Sequence, residues 1–309
     1  MVRLEKIQEP LFAKLYDAFL WDDDPLSGEA EWRDVFDYQW ETEEGHCGYA
    51  LLDGETLVGM IGMVFSDRVI EGVTHKFCNL HTWWVREDYR GHSVSMLRPI
   101  VQLKGYNITH FTPCDRVRAV TEKLGFKQLN SQLRILLPLG KPKTEPVACT
   151  INDDVESFID HLDPSDRKIA LDHKPYRSGH LLVNNSNAQC YVLYTEVIRH
   201  RLPYIHIHYA SDYNVFVKYE PQIRTHLLQD SKAKFVAIDE RRVGNHKFPR
   251  SFRFWAPAHA MFKSNGVDAS QVDHLYSDVV FLSLTTLPHM SHELKQMGRK
   301  LVPFLKPQA

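Results

Sequence analysis

Apolar residues recur at helical spacing over 9–20, where Leu11, Leu15, Ala18 and Phe19 form one stripe and Pro10 fits a first turn. Trp32, Phe36 and Trp40, four apart, predict a second helix near 29–40. Trp21-Asp22-Asp23-Asp24-Pro25 between them reads as a polar, acidic turn. From residue 49 the period shortens to two. Tyr49–Leu52, Thr56–Phe65 and Thr74–Val85 read as a meander of strands joined at the turn signals Asp53-Gly54 and Glu71-Gly72. Gly59 and Gly62 interrupt the middle strand, which suggests a bulge or a close backbone approach.

The strand ending Leu80-His81-Thr82-Trp83-Trp84-Val85 breaks at Glu87-Asp88-Tyr89-Arg90-Gly91. Ser93 or Ser95 can then cap a helix running through Met96, Leu97, Ile100 and Val101. Strand, small-residue loop and helix N-terminus together make an anion site, because free backbone N–H groups and the helix dipole favour negative charge. A strand at 107–112, a helix over Asp115–Leu124 ended by Gly125 as a left-handed cap, and a last strand from Phe126 to Leu137 follow. Leu139–Pro146, rich in Pro and charge, reads as a linker. The second half repeats the theme loosely. Helices fit 151–161, 163–172 and 215–228, strands fit 179–183, 190–198, 203–209 and 234–239, and the end reads as a helix over 256–262, a strand over 279–284 and a helix over 291–301.

Val85-x4-Arg90-Gly91-x-Ser93-x-Ser95, followed some thirty residues on by Glu122-Lys123-Leu124-Gly125-Phe126, resembles the GCN5-related N-acetyltransferase (GNAT) superfamily. The resemblance implies an α/β (α+β) fold with a mixed, mostly antiparallel sheet flanked by helices. It implies a GNAT-like domain over 1–138, a linker over 139–149 and a second, divergent copy over 150–309. In the second copy Ala210-Ser211-Asp212-Tyr213 stands where the phosphate loop should be and carries no glycine, so that copy is expected to lack a cofactor site.

It further implies an acyl-CoA-dependent N-acyltransferase moving acetyl from acetyl-CoA to an amine, a small molecule rather than a protein. The pyrophosphate would lie on Arg90, Gly91, His92, Ser93, Val94 and Ser95, and pantetheine along Trp83, Trp84 and Val85. A backbone N–H near Val85 would polarise the thioester. Strict alternation puts His81 and Val85 on one strand face, which makes His81 the expected general base. Thr121 and Cys114 stand where the family carries an acidic tyrosine and an asparagine. These departures, with Ser93 and Ser95 at positions the family fills with glycine or alanine, leave open the alternative of an inactive tandem scaffold that senses a ligand or binds a partner. By the same analogy Trp21, Asp22, Asp23 and Asp24 are candidates to line an acceptor pocket.

Composition changes this picture little. The chain has 309 residues and a net charge of −2, so nothing draws it toward nucleic acid. The five cysteines are scattered and odd in number, as free thiols in a reducing compartment would be, and no apolar run approaches the ~20 residues that span a bilayer. A cytoplasmic protein is expected. His206 and His208 place two imidazoles on one strand face, but spacing supplies no third ligand beyond the neighbouring Asp212, so no metal is expected.

Overall fold

The computed structural model describes residues 1–21, 27–140, 148–185, 187–198, 202–244, 246–255 and 259–287. Two seven-stranded sheets carry the fold. In the first, β1 (Val2–Lys6), β2 (Gly48–Asp53), β3 (Thr56–Ile70), β4 (Val73–Val85) and β5 (Tyr106–His110) lie side by side. The order then continues through β14 (Met261–Lys263) to β6 (Lys127–Gln128). In the second, β8 (Thr150–Asn152), β9 (Gly179–Asn184), β10 (Gln189–Val197), β11 (Tyr204–Ala210) and β12 (Val236–Asp239) are followed by β7 (Gln132–Leu136) and β13 (Ser251–Trp255).

The two sheets follow one plan. Each is antiparallel except between its fourth and fifth strands, β4/β5 and β11/β12. The sixth place of each sheet is filled by a strand from the other half of the chain, β14 in the first and β7 in the second. The division of the chain at 138 is therefore not the division between sheets. Leu129 and Leu137 bracket this exchange: Leu129 N–H donates to Ala260 O in the first sheet, and Leu137 N–H to Arg250 O beside the second. The linker centred on 141–147 lies outside the described residues, as do Asp22, Asp23, Asp24 and the helix expected at 291–301.

The first helical run is wound unevenly. It passes from a 3-10 turn (Glu9–Leu11) through α1 (Phe12–Leu15) to a π turn (Tyr16–Leu20), which buries Phe12, Leu15 and Leu20. The second, α2 (Glu29–Phe36), stops four residues short of Trp40. Trp40 is drawn out of helical register because its indole N–H donates to Phe65 O at 2.8 Å. Its ring stacks on Tyr38 and on Phe281 of the other half, with centroids 4.3 and 5.5 Å away. With Tyr176 and Tyr276 it forms part of one apolar core shared by both sheets.

Two expectations for the C-terminal half fail. Asp278–Phe281 is a short helix, α9, where 279–284 reads as a strand. All four of its residues are buried, and a short apolar run has no polar face from which to read a period. Met261–Lys263 is a strand where 256–262 reads as a helix, because the exposed edges of β5 and β6 recruit it. Strand β13, unforeseen, pairs with β7. No described helix is long and apolar enough to cross a membrane.

Candidate functional site

Strands β4 and β5 are hydrogen-bonded only from Lys76↔Tyr106 to Asn79↔Thr109. Beyond that point they part, and among the described residues no strand pairs with the stretch from Leu80 to Val85 on its β5 side. An open strand edge of this kind accepts an extended amide-bearing chain. The gap holds a cavity of about 400 Å³ floored by Trp83, Trp84 and Val85. Arg90 and Ser93 stand at one wall, and Cys114 with Arg116, Val117 and Val120 of the helix it precedes, α4 (Asp115–Lys123), at the other. A second cavity of about 290 Å³ shares Trp83, Cys114 and Val117 with the first. It runs on to Trp32, Thr82, His110 and Thr112, and is closed by Asp278, Leu282 and Leu284 from the other half of the chain. The two cavities thus meet at Trp83 and the start of α4.

Of the residues expected to hold a cofactor, Trp83, Trp84, Val85, Arg90 and Ser93 line the first cavity. Gly91, His92, Val94 and Ser95 are exposed and do not. The loop expected to hold the phosphates is wound as 3-10 turns over Glu87–Met96, and α3 (Leu97–Gln102) starts only at Leu97. Pro99 explains the late start: it has no N–H to give Ser95 O, so it is tolerated only in a first turn. Neither serine caps the helix. Ser93 Oγ donates to Arg90 O at 2.7 Å and Ser95 Oγ to His92 O at 2.6 Å. Both serines, and Gly91, have negative φ, so no glycine-only conformation is called for. Within a 3-10 wind the N–H groups are engaged in i→i−3 bonds.

His81 does not share a face with Val85. Opposite Ile61, β4 carries two residues, Thr82 and Trp83, between the pairs His81↔Gly62 and Trp84↔Met60. Thr82 takes a positive φ of 43° at this bulge. The extra residue reverses the alternation. Leu80, Trp83 and Val85 therefore pack with Met96 and Ile100, while His81 lies edge-on to Phe36 with ring centroids 5.1 Å apart. It is fully buried, lines neither cavity, and burial followed by the nearby His110 pushes its pKa down to about 3. Its ring is seated on Gly62, where a Cβ would come within 2.1 Å of it. Gly62→Ala is expected to cost about 1–3 kcal/mol of stability, as overpacking does, with a lowered urea midpoint as the readout.

Thr121 is buried and its hydroxyl donates to Val117 O and Arg118 O inside α4, so it has no chemical role. Cys114 is exposed and lines both cavities. Trp21 is half exposed on the far end of its helical run.

Two ionisable groups that sequence reasoning did not single out line the second cavity. His110 ends β5, and its Nδ1 has no partner among the described residues. Burial pushes its pKa down to about 4, so it stands as a neutral base at neutral pH. Asp278 is raised above the ordinary carboxylate range by burial, although it accepts from Asn79 Nδ2 and Thr112 Oγ1, each at 2.9 Å. The signal for His110 lay in its place at the end of the strand facing β4. Nothing in the sequence signalled Asp278, since only the exchange between halves brings it here.

The second sheet differs at the corresponding place. Where its phosphate loop would lie, β11 runs through Ser211 straight into the long α7 (Tyr213–Gln229). The Asp212 carboxylate occupies that helix N-terminus, accepting from Asn214 N–H and Val215 N–H. An anion is already in place there.

The acetyltransferase (GNAT) family model matches residues 12–95, the segment that ends on the 3-10 turns. The fold is GNAT. A probable N-acyltransferase of unknown function from Enterococcus faecalis superposes with a TM-score of 0.56 at 13% identity, over 85% of this chain and 72% of that one. A GCN5-related N-acetyltransferase from Kribbella flavida gives 0.53 at 14% identity, over 85% and 70%. One from Anabaena variabilis gives 0.51 at 9%, over 85% and 71%. No curated protein matches by sequence.

Proposed function

We propose that this GNAT fold transfers an acyl group, acetyl in the first instance, from acyl-CoA to the amine of a small molecule. The observation that carries the reading is the meeting of two cavities at the parting of β4 and β5. The larger accommodates pantetheine against the free edge of Trp83–Val85, with Arg90 and Arg116 near the phosphates. The smaller is the acceptor chamber, where the Asp278 carboxylate attracts an ammonium and His110 takes its proton. Backbone N–H groups at the bulge around Thr82 and Trp83 then face the thioester oxygen as the tetrahedral adduct forms. The nitrogen bonds to the acyl carbon, the C–S bond breaks, and CoA leaves as a thiolate. A good leaving group of this kind does not need the tyrosine acid that Thr121 replaces. With β7 and β14 exchanged, we read the second sheet as a divergent copy whose task is to close the chamber.

One observation favours the inactive-scaffold reading: the 3-10 turns over Glu87–Met96 use the N–H groups that a pyrophosphate would need. Calorimetric titration with acetyl-CoA and with free CoA separates the two. The expected result is micromolar binding by the wild type, weakened about tenfold or more in Arg90→Glu, which turns an attractive charge at the groove mouth repulsive. Absence of binding by the wild type would leave the scaffold reading.

A further inference from the structure

Away from the groove, three imidazoles converge between the sheets. His206 and His208 stand two residues apart on β11, and His274 reaches them from the segment that leads into α9. One ring nitrogen from each lies within 4.8 Å of the others. All three side chains are buried. The rings of His206 and His208 have centroids 4.3 Å apart, and His274 stands edge-on to both at 5.3 and 5.6 Å. Both nitrogens of His206 and Nδ1 of His208 find no hydrogen-bond partner among the described residues. Buried polar atoms are normally paired, so three orphaned ring nitrogens in one place are an unfilled demand.

We propose that His206, His208 and His274 bind a divalent transition metal ion, zinc being the best-suited, with water as the fourth ligand. Three neutral imidazoles suit zinc, copper, cobalt or nickel and do not suit magnesium or calcium, which take oxygen ligands. Zinc held by nitrogens at about 2.0–2.1 Å needs its ligand atoms roughly 3.3 Å apart, so modest side-chain rotations close the site. A supporting bond is in place: His208 Nε2 lies 2.8 Å from Thr195 Oγ1, which leaves Nδ1 for the metal and fixes the ring plane. Beside His274, a cavity lined also by Asp239, Arg241 and Thr286 has a volume of about 20 Å³, room for one water. Asp212 is not a ligand, because its carboxylate caps α7.

The placement gives the ion a structural task. His206 and His208 belong to the second sheet, while His274 follows Asp273, which is clamped to Arg68 on β3 of the first. A bound ion would tie the segment bearing Asp278, and with it the wall of the acceptor chamber, to β11.

The test uses the untagged full chain, freed of metal by dialysis against a chelator. Zn(II) is titrated in competition with a chromogenic chelator, and Co(II) binding is followed by its visible absorption. One equivalent of tight Zn(II), intense Co(II) bands of four-coordinate geometry, and affinity lowered about 100-fold or more in His274→Ala are expected. X-ray absorption at the zinc edge of the wild type should show three imidazoles. That measurement holds even if His274→Ala does not fold. Failure of the wild type to bind, fewer than three imidazoles (an ion on surface histidines), or unchanged affinity in a folded His274→Ala protein overturns the proposal.

Discussion

His110→Gln should lower kcat for acyl transfer by about 100-fold or more and leave acyl-CoA affinity within about twofold, since general-base catalysis contributes roughly 10²–10⁴. Glutamine keeps much of the shape and hydrogen-bonding capacity of the ring and cannot take the proton. The affinity should stand because His110 lines the acceptor chamber and not the larger cavity. The pH profile adds a second check. A base whose pKa burial has pushed down to about 4 stays neutral far below the usual imidazole midpoint. Activity on an acceptor whose own ionisation is constant should therefore be flat between about pH 5.5 and 7.5, where an unperturbed histidine would lose it. An acid limb centred near pH 6.5, or a His110→Gln enzyme of normal kcat, removes His110 from the mechanism. His81→Ala, assayed beside it, should act through stability: that ring touches Gly62 and Phe36 and reaches neither cavity.

His81 shows where periodicity stops being a guide. Alternation along β4 is a sound rule up to residue 81, and Cys78 and Leu80 do share the face it assigns them. One extra residue then reverses every face beyond it, and a bulge is written in pairing to β3, not in the composition of β4. The turn residues fared better because their demand is local. Gly54, Gly72 and Gly125 all take the positive φ that Asp53-Gly54, Glu71-Gly72 and the end of α4 require. The groove floor at Trp83–Val85, with Arg90 and Ser93, was legible for the same reason: strand, turn and helix are adjacent in the chain. Asp278 and His274 were not, because long-range pairing assembles their surroundings, and His110 could be placed on a strand but not beside Asp278. β14 joining the first sheet, the Arg68–Asp273 clamp and the Asn79–Asp278 hydrogen bond bring residues past 260 to β3, β4 and β5.

That clamp carries the largest expected effect on stability. Arg68 on β3 grips Asp273 with two parallel bonds, Nη1 to Oδ1 at 2.7 Å and Nη2 to Oδ2 at 3.0 Å. Both side chains are buried, and Arg242 stands 3.9 Å from the same carboxylate. Asp273→Ala strands the buried Arg68 guanidinium without its carboxylate and should cost about 3–5 kcal/mol, read as a lowered denaturation midpoint at pH 7. Asp273→Asn, which restores bulk and one acceptor without the charge, should fall between. The sign of the pH effect follows from the carboxylate. Burial works to raise its pKa, but Arg68 and Arg242 more than reverse this, so it lies below the ordinary carboxylate value of 3.8. A depressed pKa gives stability that is present above that value and is lost as the pH falls through the lower, folded one. The wild type should therefore shed this contribution only below about pH 4, and Asp273→Ala should lack that share of the acid limb. A double variant, Arg68→Met with Asp273→Leu, removes the paired charges at similar bulk and should lose less stability than its two single variants, Arg68→Met and Asp273→Leu, lose in sum. Additive losses in that cycle would mean that the pair is not coupled, and that the segment carrying His274 and Asp278 is held to β3 by apolar packing instead.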